Sequence, residues 1–250
     1  MKTCAVIPAA GLGSRLSASI PKILLPLTQT ETVLSILYRK LADIVDHIHI
    51  IASPNGAPLI HDQLSEAIKK EFVSISIQVE PTGMGDAIFQ SYPAWSFAEK
   101  ILILWGDQVF ISKKTLKDAL KIHAGTPKTI GLPVTKMSQP YVEYIFDANS
   151  KLIKIKQSRE GDVCSFEGLA DTGTFVLSVP DLFSQWNAYT KISKGGIHTG
   201  EVNFLPFLPF LSKNGWQVRT THVMDANEAR GINTSDDLLF FQNLYEGLYE

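Results

Sequence analysis

The alternation of short apolar runs with amphipathic stretches in the first half of the chain limits its fold more than any other feature. Runs rich in aliphatic and β-branched residues occupy positions 3–9, 47–53, 73–80 and 100–106. Helical periodicity lies between and after them, at 32–44, 57–70, 85–97 and 113–123. Because strands that alternate with helices predict a parallel sheet, the sequence indicates an α/β fold with a Rossmann-like, three-layer, mixed but mostly parallel sheet.

The apolar runs also differ in a way that predicts their places in the sheet. Residues 5–8 and 101–105 are continuously apolar, as expected of central strands that helices cover on both faces. Residues 73–79 alternate between polar and apolar side chains, which is typical of a strand nearer an edge.

The pattern changes after about residue 129. Strands are predicted at 129–135, 170–179 and 216–223, a strand pair at 141–157 with its turn at 147–150, and helices at 200–215 and 234–249. No repeat and no linker rich in Pro, Gly or Ser separates the two parts. We therefore expect a single domain over residues 1–250, with two halves that meet near residue 125.

Composition argues against several classes of function. The 250 residues are 45% hydrophobic and 19% charged, with a formal net charge of −2, which disfavours the basic surface of a nucleic-acid-binding protein. The two cysteines, Cys4 and Cys164, provide neither a disulfide framework nor a metal-binding spacing. No apolar run approaches the roughly 20 residues that cross a bilayer. We expect a cytoplasmic protein that does not insert into a membrane.

A glycine loop follows the first predicted strand. Its small residues would let backbone N–H groups approach a polyphosphate closely, and they are Ala9, Ala10, Gly11 and Gly13. Leu16 stands where a dinucleotide-binding fingerprint has its third glycine, and residues 52–54 lack the acid that would hold a ribose. Lys22 follows Pro21 and not a glycine, so the loop does not match a P-loop. These departures disfavour a nicotinamide oxidoreductase.

Two cations accompany this loop, Arg15 within it and Lys22 shortly after it. Alone, the glycines would make only a tight turn, and Lys22 would be a solvated loop residue. Together they match what phosphoryl or nucleotidyl transfer requires, because its transition state spreads negative charge over the phosphate oxygens. The combination favours a triphosphate that reacts over a cofactor that is only held.

Asp107 follows the apolar run at 100–106. A carboxylate after a buried strand is often a turn-former or a helix cap, here for Ser112 or Lys113. It is also a hard oxygen ligand for Mg²⁺, which needs only one or two protein ligands beside water and substrate phosphates. The residues alone leave both interpretations open.

With these motifs in this order, the sequence resembles the sugar-1-phosphate nucleotidyltransferase family, and most closely its N-acetylglucosamine-1-phosphate uridylyltransferase domains. The matching segments run from end to end: AAGLGSRL (9–16) with PK (21–22), QVEPTGMGDAI (78–88), LWGDQVF (104–110), the strand pair at 141–157, ADTGTFVL (170–177), GEVN (200–203) and GINTSDDL (231–238). The resemblance implies the nucleotide-diphospho-sugar transferase fold. It also implies a nucleotide-binding half over about 1–125 and a sugar-phosphate-binding half over about 126–250.

The same resemblance implies roles for individual residues. Arg15, Lys22 and Asp107 would be catalytic, and Asp107 would hold Mg²⁺ together with Asn233. The nucleotide would contact Ala9, Ala10, Gly11, Gly13, Gln78, Gly83 and Gly106. The sugar side would be read by Glu143, Gln157 and Asp171.

The residues on the sugar side depart from the family pattern, which has glycine, glutamate and asparagine at the positions of Glu143, Gln157 and Asp171. Since hydroxyls are selected by the groups that can donate to them or accept from them, these exchanges indicate a substituent pattern other than that of N-acetylglucosamine. Three further departures lie in the base-reading loop, at Pro81, Met84 and Asp86. UTP is therefore favoured by resemblance alone.

The sequence thus predicts a Mg²⁺-dependent nucleotidyltransferase that joins an NTP to a sugar 1-phosphate and releases pyrophosphate. A cytidylyl- or guanylyltransferase acting on another small phosphomonoester stays open, as does a nucleotide-sugar sensor without catalysis. The histidines show no zinc spacing, and His47 and His49 are expected on a solvated strand face. The Phe-, Leu- and Pro-rich segment 204–211 is expected in the core or at an oligomer contact.

Overall fold

The computed structural model of this chain describes residues 2–11, 20–123 and 126–247. Within these residues there are ten strands, β1 (Thr3–Ala9), β2 (His47–Ala52), β3 (Val73–Ile77), β4 (Lys100–Leu104), β5 (Thr129–Ser138), β6 (Val142–Phe146), β7 (Leu152–Gln157), β8 (Glu167–Asp171), β9 (Thr174–Ser178) and β10 (Gln217–His222). The α-helices of the same residues are α1 (Val33–Leu41), α2 (Gly56–Gln63), α3 (Ser65–Lys69), α4 (Met84–Gln90), α5 (Tyr92–Trp95), α6 (Lys113–Ile122), α7 (Leu182–Thr190), α8 (Phe207–Lys213) and α9 (Ser235–Glu246).

Eight of these strands form one mixed sheet, in the order β10-β5-β9-β4-β1-β2-β3, with β8 paired to β5. Strands β4, β1, β2 and β3 run parallel, as do β5 and β10. Strands β8 and β9 run antiparallel to their neighbours. The prediction of a mixed, mostly parallel α/β sheet is confirmed. The apolar runs of β1 and β4 lie at its centre, and the alternating β3 lies at its edge.

Helices cover both faces of this sheet, because its central strands are apolar on both sides. In β1, Ala5 and Ile7 belong to a core shared with α1 and α9, whereas Cys4 and Val6 belong to a second core shared with α4, α7 and α8. Successive side chains of a strand point to opposite faces, so one short run contributes to two cores. The result is the three-layer arrangement predicted from the sequence.

The topology brings several loops to one edge of the sheet. Strands β1 and β4 are parallel neighbours, so the loops after Ala9 and Leu104 leave from the same side. Leu104 is also paired with Thr174 at the start of the antiparallel strand β9, which brings the Asp171–Gly173 turn to that side. Ligands of open α/β sheets bind at this carboxyl edge.

The second half differs from the prediction in two places. Residues 170–179 form two strands and not one, because Gly173 has a φ of +68° and turns the chain between β8 and β9. Residues 200–215 do not form one helix: α8 covers only Phe207–Lys213, and the backbone of Val202 is hydrogen-bonded to Thr82 and Asp86. The hairpin of β6 and β7 and its turn at 147–150 are as predicted.

The sequence predicted a solvated strand face for both histidines of β2, but His49 is buried and His47 is partly buried. His49 is buried, with Nδ1 2.8 Å from Oγ of Ser74 and Nε2 2.9 Å from Oγ of Ser76. His47 Nε2 lies 2.7 Å from the same Ser74 hydroxyl. Serines of the neighbouring strand therefore satisfy two imidazoles inside the fold, and burial lowers the pKa of His49 to about 4.

Of the helices that the structure describes, none combines the length and the apolar character needed to span a membrane.

Candidate functional site

Three polar side chains from distant parts of the chain meet at the carboxyl edge of the sheet. Lys22 Nζ donates to Oδ1 of Asn233 at 2.9 Å and lies 3.4 Å from Oδ2 of Asp107. The side chains of Lys22 and Asp107 are each 21% exposed. The cluster therefore borders open space, where it can contact a ligand.

The local sequence explains why Lys22 and Asp107 approach each other. Lys22 begins a short 3₁₀ turn, Lys22–Leu24, whose other residues are buried. Gly106 has no side chain at a point where a Cβ would lie only 3.2 Å from the carbonyl oxygen of Pro8 and 3.3 Å from Cβ of Ala9. The loop that carries Asp107 can therefore pack against the end of β1.

A partly buried lysine, Lys40, fixes the same loop further along. Lys40 Nζ donates to the carbonyl oxygens of Val109 at 2.7 Å and Ile111 at 2.8 Å, and lies 3.2 Å from the Tyr245 hydroxyl. Burial lowers the pKa of Lys40 to about 8. Lys40 is thus a positioning residue for the loop after β4, since it ties α1 and α9 to that loop.

Asn233 is held by the start of α9. Asp237 accepts from the backbone N–H groups of Asn233 at 3.0 Å and Thr234 at 2.9 Å, which completes the capping box of that helix. Ile232 N donates to the carbonyl oxygen of Asp107 at 3.1 Å. The backbone of Asp107 is therefore hydrogen-bonded directly to the segment that carries Asn233, the other candidate metal ligand.

Two opposing effects act on the Asp107 carboxyl group. Burial raises its pKa, and the charge and hydrogen bond of Lys22 act in the opposite direction. Burial is the larger effect, so the pKa of Asp107 stays above its usual range. A carboxylate in this position gains from any further cation that approaches it.

A first cavity of about 420 Å³ opens beside the cluster. Among the residues that line it are Ala9, Ala10, Gly11, Lys22, Gln78, Gly83, Gly106, Asp107 and Asn233. The structure thus brings together every predicted nucleotide-contacting residue that it describes. Arg15 and Gly13 lie outside the described residues, and their roles stay predictions.

The loop at Gln78–Gly83 forms one wall of this cavity. Gly83 has a φ of +123°, and a Cβ there would lie 2.7 Å from both N and O of Val202. Nε2 of Gln78 lies 3.4 Å from the carbonyl oxygen of Gly83. Only glycine permits this turn and this contact, which hold the loop against the segment before α8.

A second cavity of about 320 Å³ continues from the first. Met84, Trp105, Asp107, Arg159 and Asn233 line both cavities. Of the residues predicted to read the sugar, Gln157 and Asp171 line the second cavity. The Lys22–Asp107–Asn233 cluster therefore lies at the junction of two connected spaces.

Glu143, the third of those predicted residues, does not line either cavity. Its Oε2 accepts from Lys156 Nζ at 3.0 Å and from the backbone N–H of Ser165 at 2.8 Å. Its side chain is 6% exposed. These contacts tie β7 to the segment before β8, which is a structural role.

Sequence reasoning did not identify the ion pair of Arg159 and Glu201. Arg159 Nη2 donates to Oε2 of Glu201 at 2.7 Å, and Glu201 lines the first cavity. The neighbouring Glu160 accepts from His198 N at 3.0 Å and from Thr199 Oγ1 at 2.9 Å. No sequence spacing relates residue 159 to residue 201, so only the fold could reveal the pair.

The donor atoms at the junction fit a hard divalent cation. Asp107 Oδ2 and Asn233 Oδ1 are both directed at the Lys22 ammonium, so the two oxygens converge. In the ranges 2–11, 20–123 and 126–247, no group of three or more His, Cys, Asp and Glu side chains could hold a metal. Two oxygen ligands suit Mg²⁺, which takes its other ligands from water and phosphate.

Comparisons with known proteins identify relatives of this chain. The family model described as MobA-like NTP transferase domain matches residues 5–189. The chain is 27% identical over 254 aligned positions to the bifunctional protein GlmU of Acidithiobacillus ferrooxidans, covering 98% of this chain and 52% of that protein. It is 26% identical over 244 positions to the bifunctional protein GlmU of Pseudomonas fluorescens, covering 96% and 51%. The chain therefore spans about half the length of the curated relatives it matches.

Proposed function

Because this chain belongs to the MobA-like NTP transferase family, whose members are nucleotidyltransferases, we propose that it transfers a nucleotidyl group from an NTP to a sugar 1-phosphate. Pyrophosphate would be the second product. UTP is the favoured donor by sequence resemblance. The single observation that carries the proposal is the convergence of Lys22, Asp107 and Asn233 where the two cavities join.

The two cavities suit a reaction between two phosphates. We assign the first cavity to the NTP, because glycine-rich loops and a strand end let backbone N–H groups contact a polyphosphate. The second cavity would hold the acceptor, and its phosphate would meet the α-phosphorus at the junction. The half before about residue 125 would thus bind the donor, and the half after it the acceptor. Asn233 belongs to the second half but also lines the donor cavity.

The reaction needs no general base, since the acceptor phosphate is already an anion. One of its oxygens would attack the α-phosphorus in line and form a new P–O bond, while the bond to the β-phosphate oxygen breaks and pyrophosphate leaves. The work of the protein is to align two anions and to neutralise the charge that builds up between them.

The described residues divide that work. Lys22 would contact the reacting phosphates, and Arg15, which lies outside the described residues, would neutralise the β- and γ-phosphates. Asp107 and Asn233 would hold Mg²⁺, which when bound supplies positive charge to the phosphate oxygens. Arg159 borders both cavities and would contact the acceptor phosphate where they join.

The test is a matrix of four NTPs against several sugar 1-phosphates, assayed by pyrophosphate release with Mg²⁺ present or chelated. We expect release with at least one pair, dependence on Mg²⁺, and a loss of roughly 10²-fold or more in Asp107→Ala. No release from any pair would leave a sensor that binds nucleotide sugars without catalysis. Unchanged release by folded Asp107→Ala would remove the metal assignment.

A further inference from the structure

Among the residues that the structure describes, the walls of the two cavities carry one carboxyl group without a cationic partner. Among the described residues, the acidic side chains that line the cavities are Asp107, Glu201 and Asp171. Asp107 lies 3.4 Å from the Lys22 ammonium, and Glu201 pairs with Arg159 at 2.7 Å. No Lys, Arg or His of the described chain forms an ion pair with Asp171. When ionised, Asp171 therefore places a negative charge in the second cavity that no cation of the described residues pairs with.

The surroundings of Asp171 make that charge costly. Its Oδ1 accepts from the backbone N–H of Gly173 at 2.6 Å, and the buried hydroxyl of Tyr144 lies nearby. Burial raises the pKa of Asp171 above its usual range. A ligand that brings a positive charge to this point would stabilise the ionised carboxylate, whereas a ligand with only hydroxyl groups would leave its charge in place.

Aromatic side chains share the cavity with this carboxylate. Trp105, Tyr141 and Phe204 line it. The faces of such rings attract ammonium groups, and Trp offers the strongest attraction. The cavity thus places the Asp171 carboxyl group together with the rings of Trp105 and Tyr141, and carboxylates and aromatic faces are the groups that bind an organic cation.

One residue fixes the carboxylate relative to Trp105. Gly173 donates its N–H to Asp171 and accepts from the backbone N–H of Trp105 at 2.9 Å. A Cβ at Gly173 would lie 2.3 Å from Cγ of Gln108 and 2.9 Å from Cδ1 of Trp105. The indole also packs on Phe175 and Phe204, with ring centroids 5.0 and 5.7 Å away. The cation-binding elements are therefore preorganised.

The junction of the second cavity with the first suits an anion. Arg159 borders it there, and Asp107 and Asn233 mark the junction where Mg²⁺ and the donor phosphates would lie. A molecule that satisfies both ends carries a phosphate at one end and a positive charge at the other. The two charges must be separated by a short carbon framework to fit about 320 Å³.

We propose that the acceptor is a phosphomonoester that carries an ammonium group, bound by Asp171 and the aromatic side chains of the second cavity. This inference rests on the proposed nucleotidyltransferase function. Two sources share this chemistry, an amino sugar 1-phosphate and the phosphate ester of an amino alcohol. Either would have its ammonium group beside Asp171 and its phosphate at the junction with the first cavity.

The experiment uses two matched pairs of acceptors with the full chain. Glucosamine 1-phosphate is compared with glucose 1-phosphate. Phosphocholine is compared with 3,3-dimethylbutyl phosphate, an isostere that lacks the ammonium charge. Binding is measured by titration calorimetry without NTP, and turnover by pyrophosphate release with each of four NTPs. We expect the ammonium member of at least one pair to bind and react at least about tenfold better than its neutral partner. The preferred pair identifies the source.

Two variants test whether Asp171 is responsible. Asp171→Asn keeps an oxygen that can accept from Gly173 N, so we expect it to fold and to lose the ammonium preference. The matched control is Asp118→Asn, which changes a partly exposed carboxylate on α6 that pairs with Lys114 and should keep the preference. Circular dichroism and thermal unfolding would verify that both variants fold.

The outcomes separate the two proposals. Equal or weaker binding of the ammonium member in both pairs would overturn the inference, and so would an ammonium preference that survives in Asp171→Asn. Turnover of neutral acceptors alone would overturn it while the nucleotidyltransferase function stands. An ammonium preference in binding that depends on Asp171, with no pyrophosphate from any NTP, would keep the inference and refute the catalytic function.

Discussion

Replacing Lys22 by Met should separate two effects of one ammonium group. In the structure Lys22 Nζ occupies the point where Asn233 Oδ1, at 2.9 Å, and Asp107 Oδ2, at 3.4 Å, converge. We expect turnover to fall in Lys22→Met, because a fixed cation near the reacting phosphates is lost. We also expect a divalent cation to bind the nucleotide-free protein more tightly, because it no longer competes with an ammonium for the same oxygens.

The magnitudes follow from these contacts. A hydrogen bond that involves a charged group contributes roughly 1.5–3 kcal/mol net. Since about 1.4 kcal/mol corresponds to a factor of ten, removing the competing ammonium should strengthen metal binding by roughly 10- to 100-fold. Loss of a fixed contact to transition-state charge should lower turnover by roughly 10²- to 10³-fold.

The assay is titration of the nucleotide-free protein with Mn²⁺, followed by electron paramagnetic resonance, since Mn²⁺ takes the same oxygen ligands as Mg²⁺. Lys22→Arg keeps a cation in place and is the matched control, for which we expect no gain in metal affinity. Adding Asp107→Asn to Lys22→Met should abolish the gain. Equal or weaker Mn²⁺ binding in folded Lys22→Met would refute the reasoning that the ammonium and the metal share these oxygens.

Three further predictions test the site and the fold. Asp107→Asn should lose roughly 10²-fold or more in turnover. Its free energy of unfolding should change by less than about 1 kcal/mol, because burial already disfavours the ionised carboxylate. A large loss of stability in urea unfolding would argue for a structural role instead. Gly83→Ala should lower the free energy of unfolding by about 1–3 kcal/mol and raise KM for the NTP. The reason is that Gly83 has a φ of +123° and that a Cβ there would lie 2.7 Å from the Val202 backbone. Wild-type values of both quantities would contradict the packing argument. The free energy of unfolding should fall as the pH decreases from about 6.5 to about 4, because the pKa of His49 is lowered to about 4 and the unfolded chain binds more protons in that window. His49→Gln should remove up to about 3 kcal/mol of this pH dependence in unfolding titrations. An unchanged pH dependence in His49→Gln would contradict the burial argument for His49.

The central part of the fold could be predicted because its signal is local. Strands β1 and β4 are apolar on both faces, and that continuous pattern alone places them at the centre of a covered sheet. The split of residues 170–179 into β8 and β9 was missed, although Asp171, Thr172 and Gly173 form a polar, turn-favouring run inside the predicted strand. The predicted helix at 200–215 was too long because Val202 pairs with the start of α4, a contact that periodicity does not encode.

The site could be predicted only as far as separate motifs allow. Lys22, Asp107 and Asn233 each follow from a local pattern or from resemblance, but their convergence joins residues 211 positions apart. Arg159 lies in a polar turn after β7 that resembles any solvated loop, and its place between the cavities depends on the packing of β6–β7 against the sheet. Glu143 shows the reverse case, since a residue expected to read the sugar is buried in an ion pair with Lys156.

The most direct test of the central claim is to follow the acceptor's own phosphate oxygens into the product. An acceptor whose phosphate carries ¹⁸O is incubated with the NTP that gives pyrophosphate, and the product is examined by mass spectrometry and ³¹P NMR. Attack on the α-phosphorus predicts one nucleotide diphosphate ester per pyrophosphate, with every ¹⁸O atom retained and one at the bridging position. Pyrophosphate released without such a product, or a product whose bridging oxygen comes from the NTP, would contradict nucleotidyl transfer at this site.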